Sequence, residues 1–189
     1  MSPDSTSSHE PSPAPTGDRL PPVWNLRATR DLRCVGRSAE LAALKSALRA
    51  ERVVVINEGL APLRGNGKSS LAREYAYSNA ADYQLVWWIQ AEEPGALHLA
   101  YTQLMTAINL VKRVPDDSPH EVEAVRDFLG KHGGWLLIFD GLDDLTVLDR
   151  LLPERISGHV IVTTPLGAGA SSRSAIALTP FDDSKSVEY

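Results

Sequence analysis

The spacing of apolar residues changes in a regular way along the chain. Ser38–Ala50 places Leu41, Leu44 and Leu48 three or four positions apart, which predicts an amphipathic helix. Directly after it, Val53-Val54-Val55-Ile56 is an unbroken β-branched run, the pattern of a strand covered on both faces. From Lys68 to about Ala80 the helical period returns, with Leu71, Ala72, Tyr75 and Ala76 on one side. Leu85-Val86-Trp87-Trp88-Ile89 predicts a second strand. Helices follow over about Gly95–Leu110 and about Pro119–Lys131, with the breaker Pro115-Asp116-Asp117 between them, read as a solvated turn. Trp135–Phe139 is the third strand and ends at Asp140. A short helix near Asp144–Leu152 leads to the fourth strand, His159–Thr163, and Ala175–Leu178 is a candidate fifth. Strands alternating with helices imply an α/β fold with a parallel sheet and helices on both faces. Ligands of such sheets sit beyond the carboxyl ends of the strands. The loops after Ile56 and Phe139 are therefore the expected site.

Residues 1–20 are mostly Ser, Pro and Thr and hold too little apolar surface to offset their ordering entropy, so a disordered tail is expected there. Pro21-Pro22-Val23-Trp24-Asn25-Leu26 reads as an extended segment that docks one aromatic, and residues 21–189 as one domain. With 43% hydrophobic and 23% charged residues, 189 residues suffice for a single globular core. The net charge is −5 and no basic stripe occurs, so nucleic acid is not an expected partner. The single cysteine, Cys34, excludes an intrachain disulfide, fits a reducing compartment and reads as a small buried apolar residue. Apolar runs such as Trp135–Phe139 are too short to span a bilayer, and the first residues lack the apolar stretch of a signal peptide. A soluble, cytoplasmic protein with no membrane partner is expected. The five histidines show no ligand spacing, which leaves little support for a metal other than Mg²⁺. Trp87 and Trp88 are adjacent on a strand, so they should point to opposite faces and pack under different helix layers rather than stack on bases.

The strongest chemical signal is Gly65-Asn66-Gly67-Lys68-Ser69-Ser70, between the Val53–Ile56 strand and a helix. A triphosphate needs several backbone N–H groups converging on its oxygens, and glycine allows that approach. Lys68 supplies a flexible cation for the β- and γ-phosphates, and the Ser69 hydroxyl a ligand for Mg²⁺; Ser70 is the less suited of the two serines. The phosphate-loop pattern asks for a first glycine where this chain has Pro62, with Gly59 the nearest before it. The alternative is a Gly-rich turn before an ordinary helix. The second signal is Trp135-Leu136-Leu137-Ile138-Phe139-Asp140, an apolar strand ending in a carboxylate that can reach the Mg²⁺ shell beside a phosphate loop. Asp140 and Lys68 are thus the candidate catalytic groups, and Ser69 and Asp140 the candidate metal ligands. Asp143 and Asp144 could polarise a water or cap the next helix, and capping is the simpler role.

With these elements placed, the chain from about Pro21 onward resembles the NB-ARC branch of the STAND P-loop ATPases, above all its actinobacterial regulators. Pro22-Val23-Trp24-Asn25-Leu26, then Val35-Gly36-Arg37 and Glu40-Leu41, look like the family's leading segment and its hydrophobic-Gly-Arg-x-x-Glu-Leu signature. Leu71-Ala72-Arg73-Glu74-Tyr75-Ala76 and Val86-Trp87-Trp88-Ile89-Gln90-Ala91-Glu92 are similar to bacterial members. Gly158-His159-Val160-Ile161-Val162-Thr163-Thr164 looks like the sensor strand, and Pro180-Phe181 like the segment beyond it. The resemblance implies a three-layer P-loop NTPase sandwich with strand order 5-1-4-3-2. It implies binding of ADP or ATP with Mg²⁺, with Val35 and Arg37 beside the adenine and Gly65, Asn66, Gly67, Lys68, Ser69 and Ser70 on the phosphates. In the family, exchange between an ADP-closed and an ATP-open form drives assembly of a signalling oligomer, and slow hydrolysis resets the switch. Protein partners or self-association are implied for a full-length context; a chain ending at Tyr189 implies that the C-terminal subdomains are absent, and a monomer is expected.

Three positions depart from the family pattern: Pro62, Pro165 where a sensor arginine commonly follows Thr164, and Gly141 where relatives often carry an acidic residue or Asn. The last two remove groups needed more for hydrolysis and γ-phosphate sensing than for holding a diphosphate. Arg173, in the Gly/Ala/Ser-rich stretch Gly167–Ser174, is a candidate replacement for the arginine. Besides a switch domain with slow or no hydrolysis, two readings stay open: a degenerate P-loop domain serving as a protein–protein interaction module without turnover, and, with less support, a P-loop kinase or hydrolase of a small substrate.

Overall fold

A computed structural model describes residues 20–26, 37–57, 67–93, 95–109, 121–165 and 175–178. In chain order the elements are β1 (Val23–Trp24), α1 (Ser38–Glu51), β2 (Val53–Asn57), α2 (Lys68–Ser78), β3 (Leu85–Gln90), α3 (Ala96–Ala107), α4 (Glu121–Lys131), β4 (Trp135–Asp140), α5 (Leu148–Leu151), β5 (His159–Thr163) and β6 (Ala175–Ala177). All strands pair in parallel, in the order β1-β3-β4-β5-β2-β6. The sheet differs from the expected five-strand order by one added edge strand, β1. Without it, the five strands stand as the 5-1-4-3-2 arrangement of the expectation.

The addition has a local cause. The leading segment is extended, and β1 pairs with β3 at Val23↔Leu85 and Trp24↔Val86. One residue further, the Asn25 side chain takes over from the backbone. Its Nδ2 donates to Trp88 O at 2.9 Å, and its Oδ1 accepts from Trp88 N at 2.6 Å. Trp24 packs against Tyr77 of α2 with ring centroids 5.1 Å apart, the docked aromatic that the sequence pattern called for.

Alternation along the buried strands sorts side chains into two cores. Val53 and Val55, Trp87 and Ile89, Leu137 and Phe139, and Val160 and Val162 face α3, α4 and α5. Val54 and Ile56, Val86, Leu136 and Ile138, and Ile161 face Leu44 and Leu48 of α1 and Leu71, Ala72, Tyr75 and Ala76 of α2. The helices thus form two layers around the sheet. Trp87 belongs to the first core and Trp88 packs, half-buried, against the second, which is the opposed placement expected of neighbours on a strand. No helix among the described residues is long and apolar enough to cross a membrane.

At the amino ends of the strands the polar groups form a chain. Tyr75 Oη lies 3.0 Å from Tyr83 Oη, Tyr83 Oη 2.8 Å from His159 Nδ1, and His159 Nε2 3.2 Å from Arg52 Nη1. Burial first, then Arg52 and Arg49, holds the His159 imidazole below its ordinary range, with Asp82 opposing weakly. The unfolded chain therefore binds a proton that the folded chain resists, so the stabilisation is fully present above about pH 6.5, the ordinary histidine value. It is lost as the pH falls from there through the lower folded value. Urea midpoints measured between pH 7.5 and pH 5 should fall on acidification, and His159→Gln should flatten that profile. An equally steep profile in the variant would place the dependence elsewhere.

Candidate functional site

The carboxyl ends of β2, β4 and β5 lie side by side, and the chemistry expected from sequence collects there. Gly67 precedes α2 with φ +85°, in the left-handed region where a side chain is strained. This conformation turns the chain from the loop into the helix, whose first bond runs from Leu71 N to Gly67 O at 2.8 Å. Lys68, Ser69 and Ser70 form the first turn and are half-buried. The N–H groups at the start of a helix and the helix dipole favour an anion at this position.

Arg37, just before α1, is 4% exposed. A Cβ built on Gly67 would lie 3.8 Å from Arg37 Nη2, so the guanidinium sits directly behind the loop's last glycine. The resemblance implies a place for Arg37 beside the adenine; in the structure its guanidinium lies next to Gly67 at the start of α2. Val35, Gly65 and Asn66 lie outside the described residues, as do Cys34, Gly59, Pro62, Arg173 and Pro180-Phe181.

Asp140 at the end of β4 closes the site. Its Oδ1 accepts from Ser69 Oγ at 2.6 Å and from Thr163 Oγ1 at 2.6 Å. Thr163 Oγ1 in turn accepts from Gly141 N at 2.9 Å. Ser69 and Asp140 are 71 residues apart in the chain, yet they share a short hydrogen bond. A hydroxyl and a carboxylate in contact are hard oxygen donors, suited to Mg²⁺, which keeps several waters and takes few protein ligands. No group of three or more His, Cys, Asp or Glu that could hold a metal occurs among the described residues, and this donor set does not need one.

Thr163 lies on the strand that resembles the family's sensor strand, but no motif in the sequence gives it a role. Its role follows from register, since Val162 pairs with Phe139 and so brings Thr163 level with Asp140. Thr164, which is buried, donates its N–H to Ile56 O at 3.1 Å, and Pro165 beyond it is exposed. Asp144 takes the capping role: it accepts from Thr146 N at 2.9 Å and Thr146 Oγ1 at 2.6 Å. These bonds hold its carboxyl below the usual range.

Beside Asp140 opens a groove of about 840 Å³. Asn25, Arg73, Trp88, Gln90 and Glu92 line it together with Asp140, and the Arg73 guanidinium lies 5.1 Å over the Trp88 ring. The end of β3 is locked to the end of β4 by the Gln90↔Asp140 pairing and by Ala91 N donating to Asp140 O at 2.7 Å.

No protein-family model matches the chain, and no curated protein matches it by sequence. Solved structures do. A Walker-type ATPase of Pyrococcus abyssi superposes with a TM-score of 0.54 at 15% identity, over 86% of this chain and 59% of the other. Cdc6p from Pyrobaculum aerophilum gives a TM-score of 0.54 at 12% identity, over 85% and 49%. The chain thus spans about half to three-fifths of the length of these structures. At such identities the likeness concerns the fold alone, which this chain shares with both structures.

Proposed function

We propose that this domain binds ATP and ADP with Mg²⁺ and acts as the nucleotide switch of a STAND-type signalling regulator, with slow hydrolysis at most. The observation that carries the reading is the contact of Ser69 and Asp140, which joins the Lys68-Ser69 turn to the apolar strand ending in Asp140. Two motifs that are only suggestive when separate meet at one point. In this reading the loop Gly65-Asn66-Gly67, the first turn of α2 and Lys68 hold the phosphates, and Ser69 and Asp140 hold the metal. Mg²⁺ would neutralise charge on the β- and γ-phosphates. Arg37 backs the loop with a fixed positive charge. In the switch, ADP and ATP would favour different arrangements of this domain and its partners, and the STAND assignment rests on the segments of sequence that resemble that family.

The exposed Pro165 at the end of β5 favours a second reading. Proline carries neither charge nor N–H to sense a γ-phosphate, so the domain would serve as an interaction module without turnover.

Thermal unfolding with and without millimolar Mg-ADP and Mg-ATP, alongside Lys68→Ala, tests binding. At about 100 times the dissociation constant, linkage stabilises by roughly 2.7 kcal/mol, a shift of several degrees for a domain of this size. The shift is expected in the natural chain and absent in Lys68→Ala. A cooperative melt that neither nucleotide moves would sink the switch reading and favour the interaction module.

A further inference from the structure

We infer that Glu92 is the residue that takes the proton from the attacking water when this site hydrolyses ATP, an inference that rests on the nucleotide-binding reading above. Such a base needs a carboxylate that opens to water, lies beside the metal-binding Asp140 and is not already engaged. The acidic residues near the site differ in these respects. Asp140 is committed, its Oδ1 accepting from both Ser69 and Thr163. Asp144 is spent on capping, with two bonds from Thr146. Asp143 is exposed on the same turn and does not line the groove.

Glu92 meets all three conditions; Glu93 also lines the groove and is exposed, but only Glu92 lies over the residue that follows Asp140. It is exposed, it lines the groove together with Asp140, and it has no hydrogen bond or ion pair among the described residues. Its position is also set by the fold. The Gln90↔Asp140 register and the Ala91 N to Asp140 O bond bring Glu92 over the residue that follows Asp140. That residue is Gly141, with φ +77°. A Cβ there would overlap Glu92 Cγ and lie 2.7 Å from Glu92 Oε1. The absence of a side chain at 141 is therefore the space that the Glu92 carboxylate fills. An acidic group stands next to Asp140 through the neighbouring strand and not through the next residue of the same strand.

In the step this assigns, the water oxygen forms a bond to the γ-phosphorus. The bond from that phosphorus to the bridging oxygen breaks, its electron pair leaving with ADP. The water proton passes to the Glu92 carboxylate and then to solvent, so that ATP and water give ADP, phosphate and one proton.

The test uses the full chain with Mg-ATP, comparing the natural protein with Glu92→Gln and Asp143→Asn. Thermal shifts with Mg-ADP and Mg-ATP read binding, single-turnover assays read hydrolysis, and chromatography of the bound nucleotide reads what remains in the site. Glu92→Gln keeps the shape over Gly141 and should shift like the natural protein. Its hydrolysis should be slower by about 100-fold, the lower range of a lost general base, and its bound nucleotide should stay ATP. Asp143→Asn should hydrolyse like the natural protein. Natural turnover in Glu92→Gln, or loss confined to Asp143→Asn, would overturn the inference. So would a natural chain that binds Mg-ATP but never converts it, which leaves the binding reading standing. No thermal shift in the natural chain would overturn both.

Discussion

Truncating Trp135 to alanine should destabilise the domain by about 3–5 kcal/mol, the range for removal of a buried large aromatic, where whole domains hold roughly 5–15 kcal/mol. Trp135 opens β4 and is 1% exposed. Its ring packs between the sheet and the end of α4, and Gly158 lies so close that any Cβ there would overlap the indole. The indole Nε1 donates to Leu129 O at 2.9 Å and His132 O at 2.8 Å, engaging carbonyls at the carboxyl end of α4. Ser157 Oγ, with a single proton to donate, lies 2.9 and 2.6 Å from the same two carbonyl oxygens, so one of them keeps a donor when the indole is removed. Most of the cost is thus the volume of the ring. Trp135→Phe should accordingly cost only about 1 kcal/mol more than the change in packing, the net worth of an ordinary hydrogen bond. Calorimetry should find Trp135→Ala lower in Tm by roughly 10 °C, taking about 2–4 °C per kcal/mol for a chain of this size. A loss no larger than that of the phenylalanine variant would mean that the site collapses around the missing ring.

The second large effect concerns Asp140 and is functional. Asp140→Asn keeps an oxygen that can accept from Ser69 and Thr163 but removes the charge that a hard cation requires. The ligand-free variant should melt near the natural protein. With Mg-ADP at about 100 times the natural dissociation constant, the expected stabilisation of roughly 2.7 kcal/mol should shrink to the value seen with ADP and EDTA. Titrating both proteins with ADP at fixed Mg²⁺, and again with chelator, separates the metal from the phosphate contribution. An undiminished Mg²⁺ effect in Asp140→Asn would remove Asp140 from the metal and leave its hydrogen bonds as structural. A variant that also melts much lower without ligand would show that the charge itself organises the ends of β4 and β5.

Much of this was legible before any coordinates. The β-branched and apolar runs at Val53–Ile56, Leu85–Ile89, Trp135–Phe139 and His159–Thr163 became β2, β3, β4 and β5 to within a residue, because strands covered on both faces are built mostly of apolar residues. The helices α1 and α2 began at Ser38 and Lys68 as their spacing required. The Lys68-Ser69 and Asp140 motifs were recognisable because phosphate and metal chemistry restricts both residue type and local order.

What only the tertiary structure decided is adjacency between strands. That Ser69 touches Asp140, that Thr163 stands level with it, and that Glu92 covers Gly141 all depend on sheet order and register. Neither is encoded in the period of a single segment, since a strand reads alike whichever neighbour it pairs with. The segment holding β1 reads as extended, but its place at the edge of the sheet is not legible, for a related reason. Two residues carry no period, and the pairing is completed by a side chain, Asn25, whose partner Trp88 lies 63 residues away.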